Sequence, residues 1–178
     1  MSPRQTARCG LCVALLAVGS SISVPLGPVP FTLQTLVLAM LPVALGGRDA
    51  TVTVAVWIVA GAVGLPVFSG LSGGIGHILG PTGGYIWGFL VGMVLAAAVL
   101  RLGALPRPLR EAFAVTAMLL VSYALGTLQL MALMGVDLAA ALGMAVVPFV
   151  IPDVFKLAAG VAAGRAVRRA LPLDVQAA

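Results

Sequence analysis

The sequence predicts an all-α integral membrane protein, a bundle of six transmembrane helices with both termini in the cytoplasm. Three observations lead there. Of its 178 residues, 61% are hydrophobic and 8% are charged, with a mean hydropathy of +1.17, more apolar surface than a water-soluble globule can hide. The long apolar runs are broken by Gly, Pro and Arg, which favours helices over a barrel, whose strands alternate over only about ten residues. Arg4, Arg8, Arg48, Arg101, Arg107, Arg110, Arg165, Arg168 and Arg169 fall in alternate connections or near the termini, and the intervening loops carry no Lys or Arg. That is the positive-inside pattern for an even number of crossings.

The length suits a single membrane domain over 1–178 with short loops. No G-x-x-x-x-G-K-[ST] phosphate loop is present, so ATP-driven work has to come from another chain. The net charge of +5 and the pI of about 10.3 are accounted for by topology and do not point to nucleic acid. Cys9 and Cys12 sit in the first apolar run without a second pair or a His cluster, so they read as buried thiols rather than a metal or redox site.

The first span is expected over 9–24, retained rather than cleaved because no A-x-A-like site follows it. Its Gly10 and Ala14 form a small-xxx-small pair, suited to helix packing or to docking a partner membrane protein. Pro25, Pro28 and Pro30 forbid a regular helix and predict an extended outer loop. A second span over 31–46 opens with Thr32 and Gln34, of which Thr32 can cap the helix and Gln34 offers both a donor and an acceptor to a ligand.

A third span over 51–65 follows the Gly46-Gly47-Arg48-Asp49 turn. The stretch 66–84 then carries seven glycines, which let backbone approach a ligand closely, and a loop of this length in a bundle reads as a lid or binding loop on the outer side. His77 within it is the only histidine and, with no Cys or carboxylate cluster nearby, reads as a solvated or interfacial residue, so no metal site is expected. Tyr85 and Trp87 open a fourth span over 85–100 at the membrane interface, and the Tyr85 ring can also stack on a ligand. A fifth span over 112–134 holds Ser122, Tyr123, Thr127 and Gln129. The last, over 138–165, is interrupted by Pro148 and Pro152 and is expected to be bent or broken.

That last span contains Ile151-Pro152-Asp153-Val154-Phe155-Lys156, which sinks two opposite charges in an apolar segment. An ionisable side chain at mid-membrane costs roughly 2.5–3.5 kcal/mol on insertion scales, so it requires a partner or a role. Asp153 and Lys156 share a helical face, with the acid N-terminal to the base. Pro152 fits the first position of a helical segment, which would put the pair beside spare backbone N–H groups. The pair reads either as the anchor of a small charged ligand or as a structural ion pair that orients the helix. A carboxylate and a lysine without a nucleophile–base set, metal cluster or cofactor motif do not make an enzyme site.

The segments P-L-G-P-V-P-F-T-L-Q at 25–34, G-L-P-V-F at 64–68, S-G-G followed by G-P-T-G-G-Y within 72–85, and P-D-x-x-K at 152–156 together resemble the BioY family. Its members are the biotin-specific substrate-capture components of energy-coupling-factor (ECF) vitamin transporters of prokaryotic cytoplasmic membranes. The resemblance implies a six-helix bundle that takes biotin from outside as a transported ligand, without a cofactor of its own. It also implies a coupling membrane protein and two ATPase subunits as partners, with Gly10 and Ala14 where the family presents small residues to the coupling protein. Asp153 and Lys156 match the family's functional pair. Tyr85, Thr82, Gly83 and Gly84 are then expected to close the pocket, and Phe31 and Phe68 to pack against the ligand, beside Gln34 and Thr32. The rival readings are a capture component for another small vitamin and a membrane scaffold without a ligand.

Overall fold

The computed structural model describes residues 1–25, 27–103 and 105–170; Leu26 of the Pro-rich segment, Ala104 and the tail 171–178 lie outside the described residues. The chain runs through α1 (Pro3–Ser21), a ribbon of β1 (Ser23–Pro25) and β2 (Pro30–Thr32), α2 (Gln34–Leu45), α3 (Gly47–Ala62), the short α4 (Ile75–Leu79), α5 (Gly83–Arg101), α6 (Arg107–Met134), α7 (Leu138–Ala145) and α8 (Val147–Ala170). Of these, α5, α6 and α8 are long and apolar enough to cross a membrane, and α2 is a shorter apolar helix.

Local chemistry explains where the helix ends depart from the apolar runs. Helix α1 starts ahead of Cys9 because Ser2 and Gln5 form a capping box: the Ser2 hydroxyl accepts from the Gln5 backbone N–H at 3.3 Å, and the Gln5 side chain accepts from the Ser2 N–H at 2.7 Å. The Pro-rich segment forms the antiparallel ribbon, pairing Ser23 with Thr32 and Val24 with Phe31, so Phe31 and Thr32 belong to a strand and not to the start of α2. Gly83 and Gly84 likewise form the first turn of α5 rather than the end of a loop. The last apolar stretch divides at Val146, and α8 then runs on through Pro152.

Helix α2 is buried at every position except Leu36, as befits a helix that is apolar all round. Glycines let its neighbours approach closely. On α8, a β-carbon at Gly160 would press on the Leu36 carbonyl and Ala39, and one at Gly164 on the Met40 carbonyl and Val43. On α5, Gly84, Gly88 and Gly92 repeat every four residues along one face and meet α6 backbone at Leu125, Ser122 and Met118 respectively. This small-residue seam brings α5 and α6 closer than larger side chains would allow.

A second tie is electrostatic. Glu111 of α6, 2% exposed, receives Arg165 Nε at 2.6 Å and Arg168 at 2.8 Å from α8, and Arg107 at 3.3 Å from its own helix. Arg168 also donates to the Val43 carbonyl of α2 at 2.9 Å, so this node joins three helices.

Gly88→Ala is expected to destabilise the protein by about 1–3 kcal/mol, the usual range for overpacking, because the new methyl would overlap Ser122. Gly143→Ala, where nothing lies within 4 Å, should stay within about 0.5 kcal/mol. Equal melting temperatures for the two variants in detergent would contradict the seam.

Candidate ligand-binding site

The last long helix carries the charges inward. Asp153 and Lys156 are 3% and 6% exposed, one turn apart on α8, with Lys156 Nζ 2.8 Å from Asp153 Oδ1. They do not sit at the helix N-terminus as Pro152 suggested, because α8 begins at Val147 and Pro152 lies inside it. The spare N–H groups of the first turn are therefore not what holds the pair. Side chains from other elements hold it instead. The Tyr123 hydroxyl of α6 donates to Asp153 Oδ2 at 2.6 Å, and Lys156 Nζ lies 3.7 Å from the centre of the Phe31 ring of β2. The ring's negative face accepts the ammonium without desolvating it against bare hydrocarbon.

Around the pair lies a partly open cavity between the helices, with both polar and apolar side chains in its walls. Asp153, Lys156, Tyr85, Thr82, Gln34, Thr32 and Phe68 all line it. Phe31 takes part through the Lys156 contact and through its stack on Phe149, whose ring centre is 6.3 Å away. Gly83 and Gly84 are not among its walls. Their missing β-carbons make room for the Ile78 carbonyl and for Leu125 and Gln129, so the close approach they permit is between chain segments.

Several positions have more definite local partners than the sequence indicated. The Thr32 hydroxyl accepts from the backbone N–H of Gln34 at 3.3 Å, at the entry to α2. Tyr85 is 8% exposed, and its hydroxyl donates to the Ala145 carbonyl at 3.3 Å, which ties α5 to the end of α7. The Gln34 side-chain nitrogen is buried with no hydrogen-bond partner in the protein while its side chain lines the cavity. A buried amide N–H left unpaired costs about 1–3 kcal/mol, so this donor favours an occupant with an acceptor.

The glycine-rich stretch covers the cavity but is fastened at both ends. Phe68, 2% exposed, sits edge-on to Trp57 at 4.9 Å and fills the space left by Gly61. The Trp57 indole N–H donates to the Val67 carbonyl at 3.0 Å. At the other end the Gln129 amide donates to the Ile78 and Gly80 carbonyls at 3.1 and 2.7 Å. His77 lines the cavity, its ring 6.1 Å from that of Phe68. Among the described residues no three His, Cys, Asp or Glu side chains meet in a way that would hold a metal ion.

Trp57, Phe149 and Tyr123 are among the walls that sequence reasoning missed. Tyr123 carried a faint signal, an aromatic hydroxyl in an apolar span, but nothing in the sequence showed that it meets a residue thirty positions away.

Fold and site together define a helical membrane protein with a cavity between its helices that holds a buried acid–base pair. The chain belongs to the BioY family, whose model matches residues 1–173. It is 38% identical over 161 residues to the probable biotin transporter BioY of Pyrococcus horikoshii, covering 90% of this chain and 94% of that one. It is 40% identical over 159 residues to the biotin transporter BioY of Thermotoga maritima, covering 86% and 89%. Its fold is similar to the crystal structure of the S-component for biotin from an ECF-type ABC transporter, with a TM-score of 0.83 over 95% of each chain at 24% identity.

Tyr123→Phe leaves Asp153 Oδ2 without its donor. The melting temperature of the empty protein is expected to fall by the equivalent of about 1–3 kcal/mol. A melting temperature equal to wild type would mean that water replaces the phenol.

Proposed function

We propose that this chain captures biotin with high affinity at the outer face of a prokaryotic cytoplasmic membrane, as the substrate-binding subunit of an ECF-type transporter. The observation that carries the proposal is the buried Asp153–Lys156 pair lining a cavity in a chain of the BioY family. A carboxylate offers about four lone-pair sites. Lys156 and Tyr123 use two of them, which leaves two for the ureido N–H groups of biotin. Lys156 retains an N–H for a ligand oxygen, and the unpaired Gln34 amide is a further donor. Phe68, Phe149 and Trp57 supply apolar wall for the fused rings and the aliphatic tail.

The affinity requirement agrees with enclosure. Nanomolar capture needs about −12 kcal/mol, near 0.8 kcal/mol per atom for a ligand of about 16 heavy atoms, which demands contact on most sides. The aromatic rings and polar groups that line the cavity are the ones available to make it.

The same reading gives the chain six crossings, formed by α1, α2, α3, α5, α6 and α8, with both termini cytoplasmic and residues 1–178 forming one membrane domain. Support comes from the arginines, since those of α1, the α2–α3 turn, the α5–α6 connection and the end of α8 gather at one end of the bundle. Energy comes from a coupling membrane protein and two ATPase subunits, with no ATPase in this chain. Gly10 and Ala14 are exposed on α1, and nothing lies within 4 Å of a β-carbon at Gly10, leaving that face open to the coupling protein.

Labelled biotin should bind the purified protein saturably and resist competition by thiamine and riboflavin; the absence of saturable binding rejects the reading. Asp153→Asn and Lys156→Gln are each expected to weaken binding at least tenfold, about 1.4 kcal/mol, with the helical circular dichroism retained. Unchanged affinity with altered stability would instead mark the pair as a structural strut.

A further inference from the structure

A second, open cavity lies at the other end of the bundle and shares no lining residue with the first. Asp153 and Arg168 mark the two levels on α8, roughly 22 Å apart at about 1.5 Å per residue. The lining includes seven arginines and only two carboxylates, Asp49 and Glu111. Glu111 is already held by Arg107, Arg165 and Arg168. Among the described residues Asp49 forms no ion pair, and Arg4, Arg8, Arg48, Arg101 and Arg110 have no carboxylate within 4.0 Å.

Arg110 separates this arrangement from a merely solvated basic surface. One of its terminal nitrogens donates to the Leu100 carbonyl at 3.2 Å, while its Nε is buried and has no acceptor. A buried guanidinium N–H without an acceptor is costly, and four further cations around the same concavity add mutual repulsion. An anion in the cavity relieves the repulsion.

The level of the cavity in the membrane indicates which anion. It lies where α5 ends at Arg101 and α6 begins at Arg107, and both helices are long and apolar enough to span. Arginines at the ends of spanning helices sit at the level of the lipid headgroups. The forked guanidinium matches phosphate oxygens two at a time, and basic pockets between membrane helices suit anionic headgroups. We propose that this cavity binds the phosphodiester of an anionic phospholipid, seated among the ends of α1, α2, α3, α5, α6 and α8. The bound lipid bridges the first turns of α1 to the α5–α6 connection and neutralises the arginine cluster.

Native mass spectrometry of the full chain in nonionic detergent tests this, with phosphatidylglycerol, phosphatidylcholine and inorganic phosphate as separate probes. One phosphatidylglycerol is expected to bind at least tenfold more tightly than phosphatidylcholine. Arg48 and Arg101 are exposed, so the double variant Arg48→Gln/Arg101→Gln should fold. It is expected to lose at least fivefold in phosphatidylglycerol affinity while phosphatidylcholine binding and biotin binding stay as in wild type. Equal affinity for the two lipids, or a double variant that binds phosphatidylglycerol like wild type, overturns the proposal. Inorganic phosphate displacing the lipid at submillimolar concentration overturns it in favour of a soluble anion.

Discussion

A carboxylate and an ammonium held 2.8 Å apart inside an apolar bundle set the terms for everything around them. Removing two ions from water costs several kcal/mol each, and their mutual attraction offsets this only when the remaining hydrogen-bonding positions are also occupied. Tyr123 reaches across from α6 to one carboxylate oxygen, and the Phe31 ring covers the ammonium from β2. The arrangement therefore requires α8, α6 and the ribbon to be in register. The glycines at 160 and 164 help provide this by seating α8 directly on α2.

Those constraints divide the molecule into a rigid interior and a fastened cover. The α5–α6 seam leaves no side chain between the two backbones at Gly84, Gly88 and Gly92. Glu111 closes the far end of α6 and α8 with three arginines. The cover over the cavity is attached by the Phe68 wedge against Trp57, the Trp57–Val67 hydrogen bond, the Gly74 N–H to the Gly61 carbonyl and the Gln129 clamp on two carbonyls. A segment held by a few hydrogen bonds and one aromatic contact opens at lower cost than a packed helix pair, as ligand entry to an enclosed site requires.

Much of this was legible in the residues. The cavity receives Asp153, Lys156, Tyr85, Thr82, Gln34, Thr32 and Phe68, all drawn from segments that stood out by charge, proline or glycine content. Gly83 and Gly84 show where such reading fails, since the same lack of a β-carbon serves a ligand or a neighbouring backbone equally well. Here the neighbours are Ile78, Leu125 and Gln129. Glu111 shows a second kind of failure. Nothing local singles it out among the neighbouring arginines, yet it is 2% exposed and organises three of them.

Composition and order along the chain were enough to determine a helical membrane protein, the placement of its arginines near helix ends and the burial of one ion pair, because hydrophobic transfer and charge insertion act residue by residue. Which groups complete that pair was decided only by the tertiary structure. Tyr123 and Phe31 lie far from Asp153 and Lys156 in sequence, and no local periodicity encodes a contact made by packing one helix against another. The gathering of distant arginines around one cavity has the same origin: each is an ordinary interfacial residue alone, and their shared field exists only once the helix ends are brought together.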